Sequence, residues 1–183
     1  MNGVHTSEDI VHIPVLTTAR LRLRGLQETD LDAYAAMLSD PDVVRFLGDG
    51  KPLNRADAWR QIAMILGHWT LRGFGLWAVE ERATGKLIGR IGCYQPEGWP
   101  GFEIGYMLGR PFWGRGLAQE GARAALHYAR SILHQTEIIS IIRPTNVGSI
   151  RVATALGAVA AESVELFGAP ADIYRYPRSE GAV

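Results

Sequence analysis

The run Glu103-Ile104-Gly105-Tyr106-Met107-Leu108, followed without a break by Gly109-Arg110-Pro111-Phe112-Trp113-Gly114-Arg115-Gly116-Leu117-Ala118, decides the fold. The first six residues read as a strand and the next eight as a glycine-punctuated loop. From Leu117 to about Leu133 the spacing becomes helical. Ala118, Ala122, Ala125, Leu126 and Ala129 share one face, and Gln119, Glu120, Arg123, His127 and Arg130 lie opposite. A glycine loop feeding a helix N-terminus is a ready anion site: its amides are free and the helix dipole favours negative charge. Glycine also lets the backbone approach a ligand closely.

Outward from this segment the chain reads as one α/β domain. Leu16 to Leu26 alternates Leu21 and Leu23 with Arg20, Arg22 and Arg24, the pattern of a half-buried strand. Thr29-Asp30 is a plausible cap for a short helix carrying Leu31, Tyr34 and Leu38, which Asp40-Pro41 ends. A second helix is expected from about Asn54 to Trp69. The segments 76–81, 87–94 and 102–108 then read as a three-stranded antiparallel meander. Ile138 to Ile142 is β-branched throughout but for Ser140, hence a central strand. A helix from Asn146 to Leu156 stops at Gly157, and a last strand pair is expected around 159–166 and 173–176. Residues 1–14 read as a flexible arm, 15–178 as the domain and 179–183 as a tail.

Composition narrows the functions. With 183 residues there is room for one sizeable core but not comfortably for two. Nineteen basic residues balance nineteen acidic ones, so no electrostatic footprint points to nucleic acid or a membrane surface. The lone Cys93 has no disulfide mate, and the five histidines lack metal-ligand spacing, so no metal is expected. No apolar run approaches membrane-spanning length and no signal-peptide h-region is evident, which makes a cytoplasmic protein the expectation.

Three phosphate-binding patterns compete for the loop. A P-loop fails, because Gly85-Lys86 is followed by leucine and Glu80 stands where the first glycine belongs. A Rossmann fingerprint is weak, because Gln119 occupies the third glycine position and antiparallel strands precede it. The third pattern is the coenzyme A loop of the GNAT superfamily of N-acetyltransferases, and Gly114-Arg115-Gly116-Leu117-Ala118 resembles it. Trp113 in place of the leading Gln/Arg is similar to the RimJ/RimL-like branch. Thr18 to Arg24, Ser39-Asp40-Pro41-Asp42-Val43, Glu103-Ile104-Gly105-Tyr106 and Asn146-Val147-Gly148-Ser149-Ile150-Arg151 resemble further motifs of that branch in the same order. The likeness runs over roughly residues 16–177.

The resemblance implies an α/β fold of the α+β type. Its central sheet would be mixed, mostly antiparallel and of about six or seven strands, splayed between the fourth and fifth and flanked by about four helices. It implies acetyl transfer from acetyl-CoA to a primary amine, either a protein N-terminus or a small molecule. The amides of Arg115, Gly116, Leu117 and Ala118 would seat the pyrophosphate, with Trp113 and Gly114 shaping the loop. Tyr106, Met107 and Leu108 would present backbone to the pantetheine arm and to the acetyl oxygen. Asn146 would bond the same arm. Glu103, in an apolar strand, is the candidate base, although it could equally face solvent or pair with an arginine. Many relatives place a tyrosine acid where this chain has Ala153, so Ser149 is the candidate acid, with a plain first-turn role equally open. Asp172 and Trp77, with Trp59, Trp69 and Phe74, are candidates for the amine pocket. A coenzyme A-binding regulatory module without catalysis and a dinucleotide binder are the alternatives, and a homodimer fits the family habit.

Overall fold

Strands β3 (Leu76–Glu81), β4 (Lys86–Tyr94) and β5 (Phe102–Leu108) form the expected meander, joined by a tight turn at Thr84-Gly85 and a longer loop at 95–101. The computed structural model describes residues 12–178. Around the meander an eight-stranded sheet is completed by β1 (Leu16–Thr17), β2 (Leu21–Arg24), β6 (Ile138–Ile142), β7 (Val159–Leu166) and β8 (Ala169–Arg175), in the order β1-β2-β3-β4-β5-β6-β8-β7. Five helices flank it: α1 (Leu31–Leu38), α2 (Pro41–Val44), α3 (Arg55–Arg72), α4 (Leu117–Ser131) and α5 (Val147–Ala155).

Side chains alternate across β4, so Ile91 and Cys93 face one side of the sheet while Arg90 and Tyr94 face the other. On the first side, α4 packs Gly121 onto Ile91 and Leu21. On the second, α3 brings His68 to stack on Tyr94 with ring centroids 5.3 Å apart. The two layers enclose a core of Leu21, Leu23, Trp69, Trp77, Ile88 and Ile104, all essentially inaccessible.

Several sequence expectations change in detail. The first strand is two, because the chain turns at Thr18–Arg20: Thr18 N–H donates to Leu21 O and its Oγ1 accepts from Leu21 N–H. Asp30 stands at the N-cap of α1, but its side chain bonds no amide of that helix; its Oδ2 accepts from Gln27 N–H instead. It is buried and takes a two-pronged contact from Arg24 at 2.7 and 2.9 Å, while Arg24 Nε reaches Glu80 at 2.9 Å. That ion cluster ties β2 and β3 to the start of α1. Past Ser39, Pro41 opens a further turn of helix, α2, capped by Asp40, which accepts from Asp42 N–H. Of the arm expected over 1–14, Ile13 packs on the core and Pro14 O accepts from Trp77 Nε1 at 2.7 Å. Residues 1–11 of that arm and the expected tail, 179–183, lie outside the described residues. No helix among the described residues is long and apolar enough to cross a membrane.

The feature that positions the site is the join between β5 and β6, the only parallel pair among the described strands. It holds for two registers, Phe102↔Ile138 and Glu103↔Ile139, and then the strands part. One further link, Ser140 Oγ donating to Ile104 O at 2.6 Å, closes the ladder.

Close packing beside this opening is testable at Gly92, where an added Cβ would fall 2.4 Å from Gly75 O and 2.8 Å from Leu76 Cα. Both are backbone atoms, one in β3 and one just before it with its carbonyl bonded by Cys93 N–H, and cannot swing aside. Gly92→Ala is expected to cost about 1–3 kcal/mol, read as a lower urea midpoint at unchanged slope.

Candidate functional site

The parting of β5 and β6 opens a cavity of ≈ 370 Å³, bounded by these strands, by the α2–α3 connection and α3, and by the β7–β8 hairpin. Arg143 closes its outer wall. Its guanidinium donates to Ala169 O, Pro170 O and Leu166 O on the hairpin and to Gly48 O across the cavity mouth.

Glu103 lies at the inner end, on the last paired register of β5. Its Oε2 accepts from Trp99 Nε1 at 2.8 Å and its Oε1 from Ile141 N–H at 3.3 Å. The carboxyl is therefore neither solvent-facing nor salt-bridged. Burial pushes its pKa up to about 7, against the opposing pull of those two donors and of the Arg90 charge. A group poised there exchanges protons near neutrality.

Beyond Glu103 the backbone alternates. Gly109 N–H donates to Ile88 O, so residues of its parity, Met107 and Gly105, turn their polar groups toward β4. Tyr106 and Leu108 turn theirs toward the opening. Leu108 O is already engaged, by Trp113 Nε1 at 2.7 Å. Tyr106 is thus the residue of this set with backbone groups free on the open edge, and Met107 is not among them.

A group of hydroxyls lies where α5 approaches the sheet. Tyr106 donates to Ser149 O at 2.9 Å, and Ser140 Oγ sits 3.0 Å from the Tyr176 hydroxyl. Desolvation holds the Tyr106 phenol well above its ordinary range, so it is a neutral donor. Asn146 caps α5, its Oδ1 accepting from Ser149 N–H at 3.1 Å. Ala153, one turn on from Ser149, is fully buried.

The glycine loop has its expected shape. Gly114 and Gly116 take positive φ of 71° and 74°, and Gly116 caps α4 without a side chain, so the first amides of the helix have no side-chain acceptor. Arg115 does not stand free as an extra charge: it donates to Glu81 Oε1 at 2.6 Å. Its carbonyl accepts from Arg20, which also reaches Glu120. Trp113 is half exposed, and its indole bond to Leu108 explains a tryptophan at this position.

The aromatics expected in an amine pocket are elsewhere. Trp77 is fully buried against Trp69 and Tyr128. Trp69 Nε1 donates to Leu76 O, and Trp59 is exposed and donates to Glu28. Phe74 packs on Phe102 and His68. Asp172, opposite Ser163 in the hairpin, accepts its hydroxyl at 2.6 Å and does not line the cavity. The walls are instead Tyr94, Trp99, Phe167, Met64, Gln61 and Arg90. Tyr94 stands edge-on to Trp99, and Phe167 packs beyond it. Strand alternation was the available signal: Arg90 and Tyr94 share a face of β4, and Tyr94 is the register partner of Glu103. Among the described residues no group of three or more His, Cys, Asp or Glu could hold a metal ion.

Comparison with known proteins agrees with this fold. The profile of the acetyltransferase (GNAT) domain matches residues 20–159. The uncharacterized protein YkkB of Bacillus subtilis (strain 168) is 32% identical over 167 residues, covering 87% of this chain and 93% of its own. A solved acetyltransferase from Agrobacterium tumefaciens superposes with a TM-score of 0.81 at 29% identity, covering 97% of this chain and 99% of that one. RimL, a ribosomal-protein alpha-N acetyltransferase solved with coenzyme A, superposes at 0.75 over 92% of this chain and 100% of its own. Its 16% identity speaks for the fold alone.

The raised Glu103 pKa fixes a sign for stability. The unfolded carboxyl titrates near 4.5 and the folded one near 7, so the group's favourable contribution is complete below 4.5 and lost as pH rises through 7. Glu103→Gln lacks that loss. Its stability relative to wild type should therefore improve by up to about 3 kcal/mol between pH 4 and pH 8, measured by urea unfolding across that range.

Proposed function

The chain belongs to the GNAT acetyltransferase family, and from that premise we propose that it transfers acetyl from acetyl-CoA to a primary amine, with Glu103 as the base. The observation that carries this is a buried carboxyl held near half-ionisation at the end of the cavity where β5 and β6 part.

The residues present fit acetyl-CoA. The amides at the start of α4 suit its pyrophosphate, since Gly116 leaves them without a side-chain cap. The Tyr106 backbone suits the pantetheine arm, and its N–H suits the carbonyl oxygen of the acetyl group. Asn146 has spent its Oδ1 on the helix cap, which leaves its amide N–H₂ for the same arm. Acetyl-CoA supplies the thioester; the chain's own groups manage protons. As the amine nitrogen bonds the acetyl carbon and the C–S bond breaks, Glu103 takes the proton the nitrogen gives up. Ser149, beside the opening, is the donor we assign to the departing sulfur, with the Tyr106 hydroxyl reaching across from β5 to the Ser149 carbonyl. A carboxyl with pKa about 7 serves either directly or through one water.

We place the chain with the RimJ/RimL-like branch on Trp113 and its indole bond to Leu108, together with the ordered motifs around it. The acceptor is then a peptide N-terminus or a small amine, and a cavity of ≈ 370 Å³ takes one residue of a peptide or a molecule of that size. Ala153 in place of the usual tyrosine acid favours a second reading, a coenzyme A-binding module without turnover.

Thiol release from acetyl-CoA, screened over N-terminal peptides, polyamines and aminoglycosides, separates the two. Tight acetyl-CoA binding with no release on any amine would leave the silent module standing. With an active amine in hand, wild-type kcat/KM should rise with pH along a limb near 7. Glu103→Gln should remove that limb and lower kcat by roughly 10²-fold or more. Gly116→Val, which forces a β-branched residue into positive φ, should raise the KM for acetyl-CoA by about tenfold or more.

A further inference from the structure

Acetyl transfer as described leaves one charged group of the cavity without a task. Arg90 rises from the middle of β4, between Ala78 of β3 and Met107 of β5, and reaches the cavity beside Gln61, Tyr94 and Glu103. Among the described residues its guanidinium has no ion-pair partner, and its Nε is cut off from solvent with nothing to donate to. Arg90 is partly buried, and an Nε–H withdrawn from water with no acceptor is costly; proteins normally answer a cation so placed with a carboxylate. This chain does so for Arg24, which holds Asp30 and Glu80 at once. For Arg90 it does not.

The neighbours supply no ion pair. Both oxygens of Glu103 accept from other donors, Trp99 and Ile141 N–H. Tyr34 donates its hydroxyl to Gln61 Oε1 at 2.6 Å, and the same hydroxyl is a neutral partner within reach of the Arg90 guanidinium. The Arg90 charge acts on Tyr34, Tyr94 and Glu103 alike, in each case opposing the burial that raises the pKa. Arg90 therefore faces into the space between these groups.

We propose that Arg90 anchors a carboxylate on the acceptor, so that the acceptor is an amine carrying a carboxylate, of amino-acid size, with its amine toward Glu103. This rests on the acetyl-transfer reading above and names its substrate class. A singly charged group suits this place: of the other cations that line the cavity, Lys51 pairs with Asp49 and Arg143 spends its donors on backbone carbonyls. Tyr94, Trp99 and Phe167 would cover the acceptor's apolar body.

The test follows thiol release for α-amino acids against their own carboxamides, with L-phenylalanine and phenethylamine as a further matched pair. The wild type should favour the carboxylate member by about 10- to 100-fold in kcat/KM, as expected of a charge-assisted, two-pronged contact. Arg90→Gln should reduce that preference at least tenfold, mainly through KM, and Arg90→Lys should restore part of it. In the wild type, 3-phenylpropionate should compete with the amine, and in Arg90→Gln it should not. Equal use of both members of every pair, with other amines acetylated, overturns the proposal alone. A loss in Arg90→Gln that is equal for both members and comes with a shifted pH limb overturns it as well, since Arg90 would then only set the Glu103 pKa. If Arg90→Gln does not fold, as its melting curve would show, the wild-type preference and the 3-phenylpropionate competition decide. No thiol release from any amine overturns the acetyl-transfer reading and this one with it.

Discussion

The short parallel ladder between β5 and β6 is the constraint on which the rest depends. Two registers hold, a serine hydroxyl supplies one more link, and then two strands of one sheet leave each other. Unpaired backbone in a protein interior is expensive, so a sheet that opens must answer for its exposed edge. Here Trp113 answers for Leu108, Glu103 accepts from Ile141 N–H, and Tyr106 uses its hydroxyl to hold α5 against the gap. What is left over is the Tyr106 backbone, facing a cavity. The opening thus has a local chemistry of its own: backbone groups that still want partners, beside a carboxyl held half-ionised by the walls that enclose it.

How far this was legible in the sequence depended on whether the physics was local. The β3–β5 meander, α4 and the Gly157 stop on α5 followed from period and from glycine, because those signals lie within a few residues of the structure they encode. The turn that divides β1 from β2 was invisible: alternation runs straight through Thr18 and Arg20, and only the pull of Glu120 and Arg115, about a hundred residues away, shows why the chain bends there. Asp30 does stand at the α1 N-cap, as its residue type suggests, but a partly buried arginine takes its side chain. The site divided in the same way. Glu103 could be singled out as an acid in an apolar strand, whereas Trp77 and Asp172 are candidates only through the family resemblance, and the packing of α3 and the pairing of the last hairpin place them elsewhere.

The cavity is built from pieces distant in the chain, and Arg143 shows how they are kept in register. One guanidinium spans three carbonyls of the β7–β8 hairpin and one beyond α2. Carbonyls give no counter-charge, but four of them satisfy the planar donor fork of arginine and fix the distance between two elements that otherwise meet only at the cavity mouth. The aromatic sequence Tyr94, Trp99 and Phe167 runs beneath that span, so the same connection sets the width of the apolar wall.

The glycine loop is fastened from outside itself. Arg20 holds its carbonyl at Arg115 and grips Glu120 within the first turn of α4, while Glu81 holds the Arg115 side chain. Left alone, two residues at positive φ would wander among many shapes, and a ligand would have to choose one of them. In this chain the choice is made during folding. An incoming anion meets a cradle that has already lost its conformational freedom, and the free energy of contact goes to holding the ligand instead of stilling the loop.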